Sequence, residues 1–311
     1  MIAALVNKLA VMYLYALVGF VLARAKVMDE RDSRTLSSLT VYVLQPCLIF
    51  SAMQIEMTPD RIHGFAAATI FGLLIYLIWI LLSYGLSRPL HLTMVEQATL
   101  VYGNVGNLVM PLVSMMLGSE MIFYASAMQI PFHLFIWSHG TAMIRGDGRI
   151  ELKRIFRNSN MIALILGLLA MVSGLKLPAF IDTALDGFTA CVGPVSMFVI
   201  GMAVARANLK DIFTFKRGYF ITLLGQVIYP ILALLLLLAS GYLTRHPEYT
   251  TVFLTIFITL AAPPASTTAQ LAILYDRHAT EASIYNVMGT LLCLVTMPLC
   301  IALFQAVFMR V

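Results

Sequence analysis

The chain has 311 residues, of which 60% are hydrophobic and only 11% charged. An ordinary globular chain carries about 25% charged residues, so a soluble domain of this composition would have too little polar surface. The net charge of +5 at pH 7 would suit a nucleic-acid partner. The basic residues lie in short loops between apolar stretches, however, where membrane topology explains them. The composition predicts an integral membrane protein and no nucleic-acid binding.

Ten apolar segments follow one another along the chain, each close to the length that crosses a hydrocarbon core about 30 Å thick. We number them segments one to ten in chain order, at residues 3–24, 35–54, 62–87, 92–117, 120–144, 159–178, 184–205, 218–243, 249–274 and 280–308. Segments three and eight are the most uniformly apolar, which indicates that they face lipid or support the bundle. The sequence therefore predicts an all-α fold of ten transmembrane helices.

The cysteines and the charged loops complete this picture. All four cysteines lie in apolar segments without metal-ligand spacing, so we expect buried thiols, no metal and no cofactor. The loops after segments one, three, five, seven and nine carry four, one, five, four and one basic residues, which leaves five of the 20 for the other side. Basic loops stay preferentially in the cytoplasm. The pattern predicts a multi-pass protein of the inner (plasma) membrane, with both termini outside.

The two halves of the chain are predicted to be inverted repeats. Pro46 and Phe50 of segment two match Pro194 and Phe198 of segment seven, 148 residues later. Five segments per half reverse the orientation of the second half. The predicted division is a first five-helix repeat at 1–144, a basic cytoplasmic loop at 145–158 and a second repeat at 159–311. The alternative is that prolines are simply common in membrane helices.

Segments four and nine are each interrupted near the middle by polar residues, glycine and proline. The first break is residues 103–111, with the sequence GNVGNLVMP, and the second break is residues 261–268, AAPPASTT. Proline lacks a backbone donor and clashes with the preceding turn, so each helix is predicted to open there. Unpaired backbone groups cost several kcal/mol in lipid. The two breaks are therefore predicted to cross near the bilayer midplane and to face each other.

Broken helices at matching places in two halves are typical of the substrate site of a secondary transporter. Half-helix amino ends carry partial positive charge without an ionised side chain, and amides and hydroxyls add donors. Such a site prefers an anion, most naturally a carboxylate. The alternative is a kink stabilised by its own asparagine side chains, with no ligand. The predicted substrate-binding residues are Asn104, Gly106, Asn107, Pro111, Pro263, Pro264, Ser266 and Thr267.

Ionisable residues are scarce within the segments, and no carboxylate lies near either break in the sequence. This argues against coupling through a buried carboxylate. His133, at the centre of segment five, is a candidate proton carrier, with Gln129 as a polar relay. The alternative is a neutral histidine that is hydrogen-bonded within the bundle. Gln129, Gln226 and Asn286 are also predicted to form hydrogen bonds between helices.

Several sequence pieces together carry a resemblance to a known family. They are Gly103-Asn104-Val105-Gly106 with Pro111, Ala262-Pro263-Pro264-Ala265 with Ala272 and Tyr275, Pro46, and Gly193-Pro194 with Gly201. In this order and spacing, over essentially the whole chain, they resemble the auxin efflux carrier family within the bile-acid-transporter-like superfamily. The resemblance implies a scaffold and a transport domain, elevator-type alternating access, and a substrate carboxylate framed by Asn104, Pro111 and Pro263.

The resemblance also points to the start of segment six, Asn158-Ser159-Asn160, where relatives often have Asn-Pro. It makes Asn160 a further candidate substrate-binding residue, although Ser159 replaces the proline. Val109 stands where a small residue is often found, so both departures change the expected pocket. The short central loop suits a prokaryotic member. A homodimer is compatible with the resemblance, although no segment is identified as its surface.

The sequence-based hypothesis is a secondary transporter that exports a small organic anion, such as an auxin-like acid, malate or another carboxylate. Alternatives with the same fold are a non-transporting anion receptor, a channel, and a proton- or sodium-coupled carboxylate symporter. An enzyme is not expected, because the sequence offers no Ser/His/Asp or metal-ligand constellation. Its partners would be the substrate and the lipid bilayer.

Overall fold

The computed structural model describes residues 2–56, 58–106, 108–118, 120–147, 153–175, 177–206 and 214–309. Within these ranges the chain is helical and contains no strand, and an isolated antiparallel bridge joins Gly103 to Pro264. Five described helices are long and apolar enough to cross a membrane: Glu30–Ala52, Pro59–Ser87, Ala179–Arg206, Lys216–Ser240 and Ala279–Phe308. These helices are those expected of a multi-pass membrane protein.

The helices of the amino-terminal half follow the predicted segments closely. Short π-helical turns interrupt segments two and five, at Thr40–Leu44 and Ile136–Gly140. The α-helices are Ile2–Arg24, Glu30–Leu39, Gln45–Ala52, Pro59–Ser87, Met94–Val101, Val109–Leu117, Glu120–Ala127, Gln129–Phe135 and Thr141–Arg145.

The described part of the carboxy-terminal half has one π-helical turn, at Leu224–Ile228 in segment eight. A short 3-10 turn at Pro247–Tyr249 precedes segment nine. The α-helices are Lys153–Arg157, Ser159–Ser173, Ala179–Arg206, Lys216–Leu223, Tyr229–Ser240, Tyr242–Arg245, Thr250–Leu260, Ser266–Leu274 and Ala279–Phe308.

The chain divides into two compact units that do not coincide with the two predicted repeats. The first unit contains Met1–Ala66, Gly106–Gln129 and Phe156–Ala207. The second unit contains Ala67–Val105, Ile130–Ile155 and Asn208–Val311. Each unit therefore draws on both halves of the sequence.

In the first unit, segments one and seven approach each other through glycines. A Cβ added at Gly201 would lie 1.8 Å from the Ala16 carbonyl oxygen, and one at Gly19 would lie 2.1 Å from that of Phe198. Small residues at such positions let two membrane helices pack backbone to backbone. The backbones of segments one and seven therefore touch at Gly19 and Gly201.

In the second unit, the helix of segment three has one buried face and one exposed, apolar face. Tyr76 and Trp79 are buried, and their rings meet edge to face with centroids 5.9 Å apart. The opposite face carries exposed aliphatic side chains at helical spacing, as expected of a lipid-facing helix. These side chains are Ile70, Leu74, Leu77 and Leu81.

Three expectations need correction. Segment six ends at Ser173 rather than near residue 178, because Gly174 takes a left-handed conformation with φ of +66° and closes the helix. Pro111 does not open segment four, since it lies in the first turn of Val109–Leu117, where a missing donor costs little. Cys191 is exposed and Cys47 half-buried, so only Cys293 and Cys300 are buried thiols.

Candidate functional site

The two breaks meet backbone to backbone within the second unit. Segment four is helical to Val101 and segment nine to Leu260, and the unwound residues that follow run antiparallel. Asn104 N–H donates to the Pro263 carbonyl at 2.7 Å, and Ala265 N–H donates to the Tyr102 carbonyl at 2.8 Å. These bonds satisfy backbone groups that the helices no longer pair. We call this contact the main-chain junction.

Residues without bulk allow the main-chain junction to form. A Cβ added at Gly103 would lie only 3.3 Å from the Ala262 Cβ. A Cβ added at Gly289, on the helix of segment ten, would lie 2.2 Å from the Pro264 Cδ. The Pro264 ring therefore occupies the space that a side chain at Gly289 would need.

Segment ten also holds the second break by hydrogen bonds. Asn286 Nδ2 donates to the Pro264 carbonyl at 2.9 Å. Gln226 Nε2 donates to the Gly289 carbonyl at 2.7 Å, and Thr296 Oγ1 donates to Gln226 Oε1 at 3.1 Å. The predicted interhelical roles of Gln226 and Asn286 are confirmed.

A positively polarised helix end lies beside the junction. Helix Ser266–Leu274 begins after Ala265, whose side chain provides no cap for the first amide groups. Asn104 is 8% exposed, and its Nδ2 lies 3.4 Å from the Ser266 hydroxyl. The first and second breaks contain no Asp, Glu, Lys or Arg. This corner therefore offers main-chain amides and neutral donors, which suit an anion.

Glu96 anchors the half-helix that leads into the first break. It closes a capping box with Thr93 at the start of Met94–Val101. Its carboxylate accepts hydrogen bonds from the Arg217 guanidinium, including one from Nη2 at 2.8 Å, and from the Tyr285 hydroxyl at 2.7 Å. A buried carboxylate with a charged partner and several donors is satisfied. Glu96 is thus a structural anchor, a role that its sequence position did not reveal.

Tyr102, directly before the first break, is held by a histidine. Its hydroxyl lies 3.0 Å from the Phe135 carbonyl and 2.7 Å from His139 Nδ1, while His139 Nε2 lies 3.0 Å from the Tyr84 hydroxyl. The phenol has one proton and gives it to the carbonyl. His139 must then carry its proton on Nδ1 and accept from Tyr84 through Nε2. This series of hydrogen bonds ends on the Phe135 carbonyl, so it holds Tyr102 in place and offers no onward proton acceptor.

The first unit contains a separate pair of buried amides. Asn160 Nδ2 donates to Gln45 Oε1 at 3.0 Å, and both side chains are buried. Asn160 Oδ1 has no hydrogen-bond partner among the described residues. A Cβ added at Gly106 would lie 3.3 Å from Gln45 Oε1, so the amide packs against bare backbone. We call Gln45 and Asn160 the amide pair; the sequence signal for Gln45 was an amide directly before Pro46 in an apolar run.

The predicted site residues are thus divided between the units. Asn104, Pro263, Pro264 and Ser266 come together in the second unit, where Thr267 occupies the first turn of Ser266–Leu274. Gly106, Pro111 and Asn160 belong to the first unit. Asn107 lies outside the described residues.

The predicted polar relay of Gln129 and His133 stays a prediction, and no hydrogen bond links these two side chains in the described residues. Both side chains are buried. In the part of the chain that the structure describes, both ring nitrogens of His133 and Nε2 of Gln129 have no hydrogen-bond partner. His133 packs edge to face on Phe132, with ring centroids 5.1 Å apart. The described residues therefore include no hydrogen-bond partner for the alternative, a neutral histidine bonded within the bundle.

Comparison with known proteins gives a family. The chain matches the sequence profile of the family described as membrane transport protein over residues 4–152 and again over residues 147–301. No curated protein matches the chain. Since the two matches together span nearly all of the sequence, the chain belongs to the membrane transport protein family, and the resemblance to auxin efflux carriers is confirmed.

Proposed function

Because the chain is a membrane transport protein, we propose that it is a secondary transporter of small organic anions. The carboxylate of the substrate binds at the amino end of Ser266–Leu274, beside Asn104. The observation that carries this proposal is the main-chain junction, which sets an uncapped helix end and a buried amide next to each other. Anions are stabilised at such ends by unpaired amide groups and the helix dipole.

The architecture proposed for transport is ten transmembrane helices in two inverted five-helix repeats. The double match to one family profile supports a duplication. In an elevator-type cycle, one unit carries the substrate while the other stays fixed; the second unit contains the main-chain junction and is the proposed carrier. The loops after segments one, three, five, seven and nine, which include the basic loop at 145–158, are proposed to be cytoplasmic because they hold most of the basic residues.

Export is the proposed direction. A monovalent anion that leaves a cell with a negative interior gains about 2.3 kcal/mol per 100 mV of membrane potential. This corresponds to about a 50-fold concentration ratio, so export needs no coupled ion. The two breaks are lined by neutral groups. In the bound state, neutral hydrogen-bond donors among them replace the water molecules that hydrate the anion in solution.

Asn104 provides the first test. In purified protein, binding of carboxylic acids is measured by the rise in melting temperature, which follows the affinity of the ligand for the folded state. Asn104→Ala removes a hydrogen bond to a charged group, worth about 1.5–3 kcal/mol, so affinity falls about 10- to 100-fold. Asn104→Asp keeps the shape but adds a negative charge, and we expect no anion binding.

The matched control is Gln270→Ala, because Gln270 is an exposed amide on the same half-helix. It should bind as the parent does. Unchanged affinity in both Asn104 variants would contradict the proposed site. Counterflow of labelled substrate in proteoliposomes then tests transport itself: a receptor binds without flux, a channel shows no counterflow, and a coupled symporter shows counterflow only when its ion is present.

A further inference from the structure

The exposed face of segment three forms a continuous row of apolar side chains that ends in a cation. Leu74, Leu77 and Leu81 are exposed, and the same helical spacing continues to Tyr84, which is 50% exposed. Arg88 continues this spacing directly after the helix end at Ser87. We call Leu74, Leu77, Leu81 and Tyr84 the apolar stripe. It rises about 15 Å at 1.5 Å per residue, half of a hydrocarbon core about 30 Å thick, so it matches one leaflet.

Tyr84 marks the depth of the membrane interface on this face. Its hydroxyl lies 3.0 Å from His139 Nε2, while its ring stays half-exposed. Tyrosine is enriched where the hydrocarbon core meets the headgroups, because its ring is apolar and its hydroxyl is polar. The end of the apolar stripe therefore lies at headgroup level, and Arg88 follows it there.

The beginning of segment eight brings a second cation to the same level. Arg217 Nη2 donates to the Leu90 carbonyl at 3.0 Å and to the His91 carbonyl at 2.9 Å. Segment eight therefore begins against the loop that follows segment three, within the second unit. Lys216 precedes Arg217, and the side chains of Arg88, His91 and Lys216 are all exposed. We call these three residues the basic corner.

The charge of the basic corner is not neutralised by the protein. Glu96 pairs with Arg217, so that arginine is already compensated. The side chains of Arg88 and Lys216 form no hydrogen bond or ion pair with a described residue. The sequence has no Asp or Glu within four residues of any member of the basic corner. Two cations and an imidazole therefore lie beside an apolar stripe without an anionic partner.

We propose that the basic corner binds the headgroup phosphate of an anionic phospholipid, with an acyl chain of the lipid along the apolar stripe. The phosphate complements the unpaired cations, and the acyl chain complements the exposed aliphatic side chains. Each basic residue near a membrane surface strengthens binding of anionic lipid about fivefold. Because Arg88 and Lys216 belong to different segments, the headgroup joins the end of segment three to the beginning of segment eight. The lipid therefore stabilises the second unit.

The test uses the purified full-length chain in uncharged detergent, without any carboxylic acid. Its melting temperature is measured against phosphatidylglycerol and against phosphatidylcholine with the same acyl chains. We expect a rise of about 2–4 °C at a phosphatidylglycerol concentration ten times Kd, and a clearly smaller rise in phosphatidylcholine. Equal rises in the two lipids would overturn the proposal.

Glycerol phosphate distinguishes a lipid from a free phosphate, because it has the anionic headgroup without acyl chains. At the same concentration as the lipid it should leave the melting temperature unchanged. A rise as large as that in phosphatidylglycerol would show that the basic corner binds soluble phosphate without the apolar stripe. That result would overturn the assignment to a lipid.

Substitutions locate the headgroup on the protein. Arg88→Gln and Lys216→Gln should each raise the Kd for phosphatidylglycerol about fivefold, and the double variant about 25-fold. Arg88→Lys keeps the charge and should bind nearly as the parent does. The matched control is Arg245→Gln, because Arg245 is an exposed arginine beyond the opposite end of segment eight. It removes the same charge from the chain and should keep the parent affinity.

Two outcomes of the substitutions would contradict the proposal. Parent affinity in the double variant would place the lipid elsewhere. An equal loss in Arg245→Gln would show that the lipid responds to net charge and not to the basic corner. The melting temperature of each variant in phosphatidylcholine gives its stability without the anionic lipid, so a folding defect is measured separately. No transported anion is present, so the result does not depend on the organic-anion site.

Discussion

The main-chain junction of the second unit and the amide pair of the first unit place polar groups inside apolar helices in opposite ways. The junction uses backbone: Asn104 N–H to Pro263 and Ala265 N–H to Tyr102. The amide pair uses side chains: Asn160 Nδ2 to Gln45 Oε1. Backbone contacts need space, whereas side-chain contacts need the right partner. The two regions should therefore respond to different kinds of substitution.

Added bulk should harm the junction most. Gly289→Ala would place a Cβ 2.2 Å from the Pro264 ring, which cannot move without disturbing the second break. We expect a loss of about 1–3 kcal/mol in the free energy of unfolding, even after the better helix propensity of alanine. The measurement is chemical unfolding in detergent, with the carboxylate affinity determined in parallel.

Gly106→Ala is the matched substitution beside the amide pair. Its Cβ would lie 3.3 Å from Gln45 Oε1, the end of a flexible side chain that can shift by a few tenths of an ångström. The cost should be smaller than that of Gly289→Ala. The reverse order would show that the Gln45 amide is held more rigidly than the Pro264 ring, and the contrast between the two regions would fail.

Much of the junction could be predicted from the sequence because its signals are local. Glycine and proline in an apolar run mark an opened helix wherever it packs, and the first and second breaks are found where Gly103 and Pro263 predicted them. The position of Pro111 was misread because proline is tolerated in a first helical turn as well as at a break.

The amide pair could not be predicted, because its partners lie 115 residues apart and no local pattern joins them. The π-helical turns were missed for a related reason. Thr40–Leu44 precedes Pro46 and Leu224–Ile228 precedes Pro230, so proline gave a signal, but the extra residue in each turn depends on how neighbouring helices pack.

Loss of a partner should harm the amide pair. Asn160→Leu and Gln45→Leu each remove the hydrogen bond from Asn160 Nδ2 to Gln45 Oε1, and we expect each to cost about 1 kcal/mol. The double variant should cost less than the two single losses together, with a coupling of about 0.6 kcal/mol, the average for hydrogen bonds between membrane helices. Unfolding of the four proteins in detergent measures this cycle.

Gln54→Leu is the control for this cycle. Gln54 lies two residues after the end of helix Gln45–Ala52, and its Nε2 has no partner among the described residues. It should not couple to Asn160→Leu. Additive losses for Gln45→Leu and Asn160→Leu would show that the observed 3.0 Å contact contributes no net stability.

The smallest expected effects concern substitutions of two histidines of segment five. These substitutions test whether side chains stabilise the main-chain junction. His139→Phe removes bonds to Tyr84 and Tyr102, and we expect a loss of about 0.5–1.5 kcal/mol in the free energy of unfolding. His133→Leu should cost less or stabilise, since the imidazole is buried without a hydrogen-bond partner among the described residues.

If instead His133 carries protons, His133→Gln abolishes the pH dependence of uptake while His139→Gln, which keeps a donor and an acceptor, retains it. A parent-like pH profile in His133→Gln would end the proton-carrier hypothesis and leave Tyr102, held by His139, as the side-chain support of the junction.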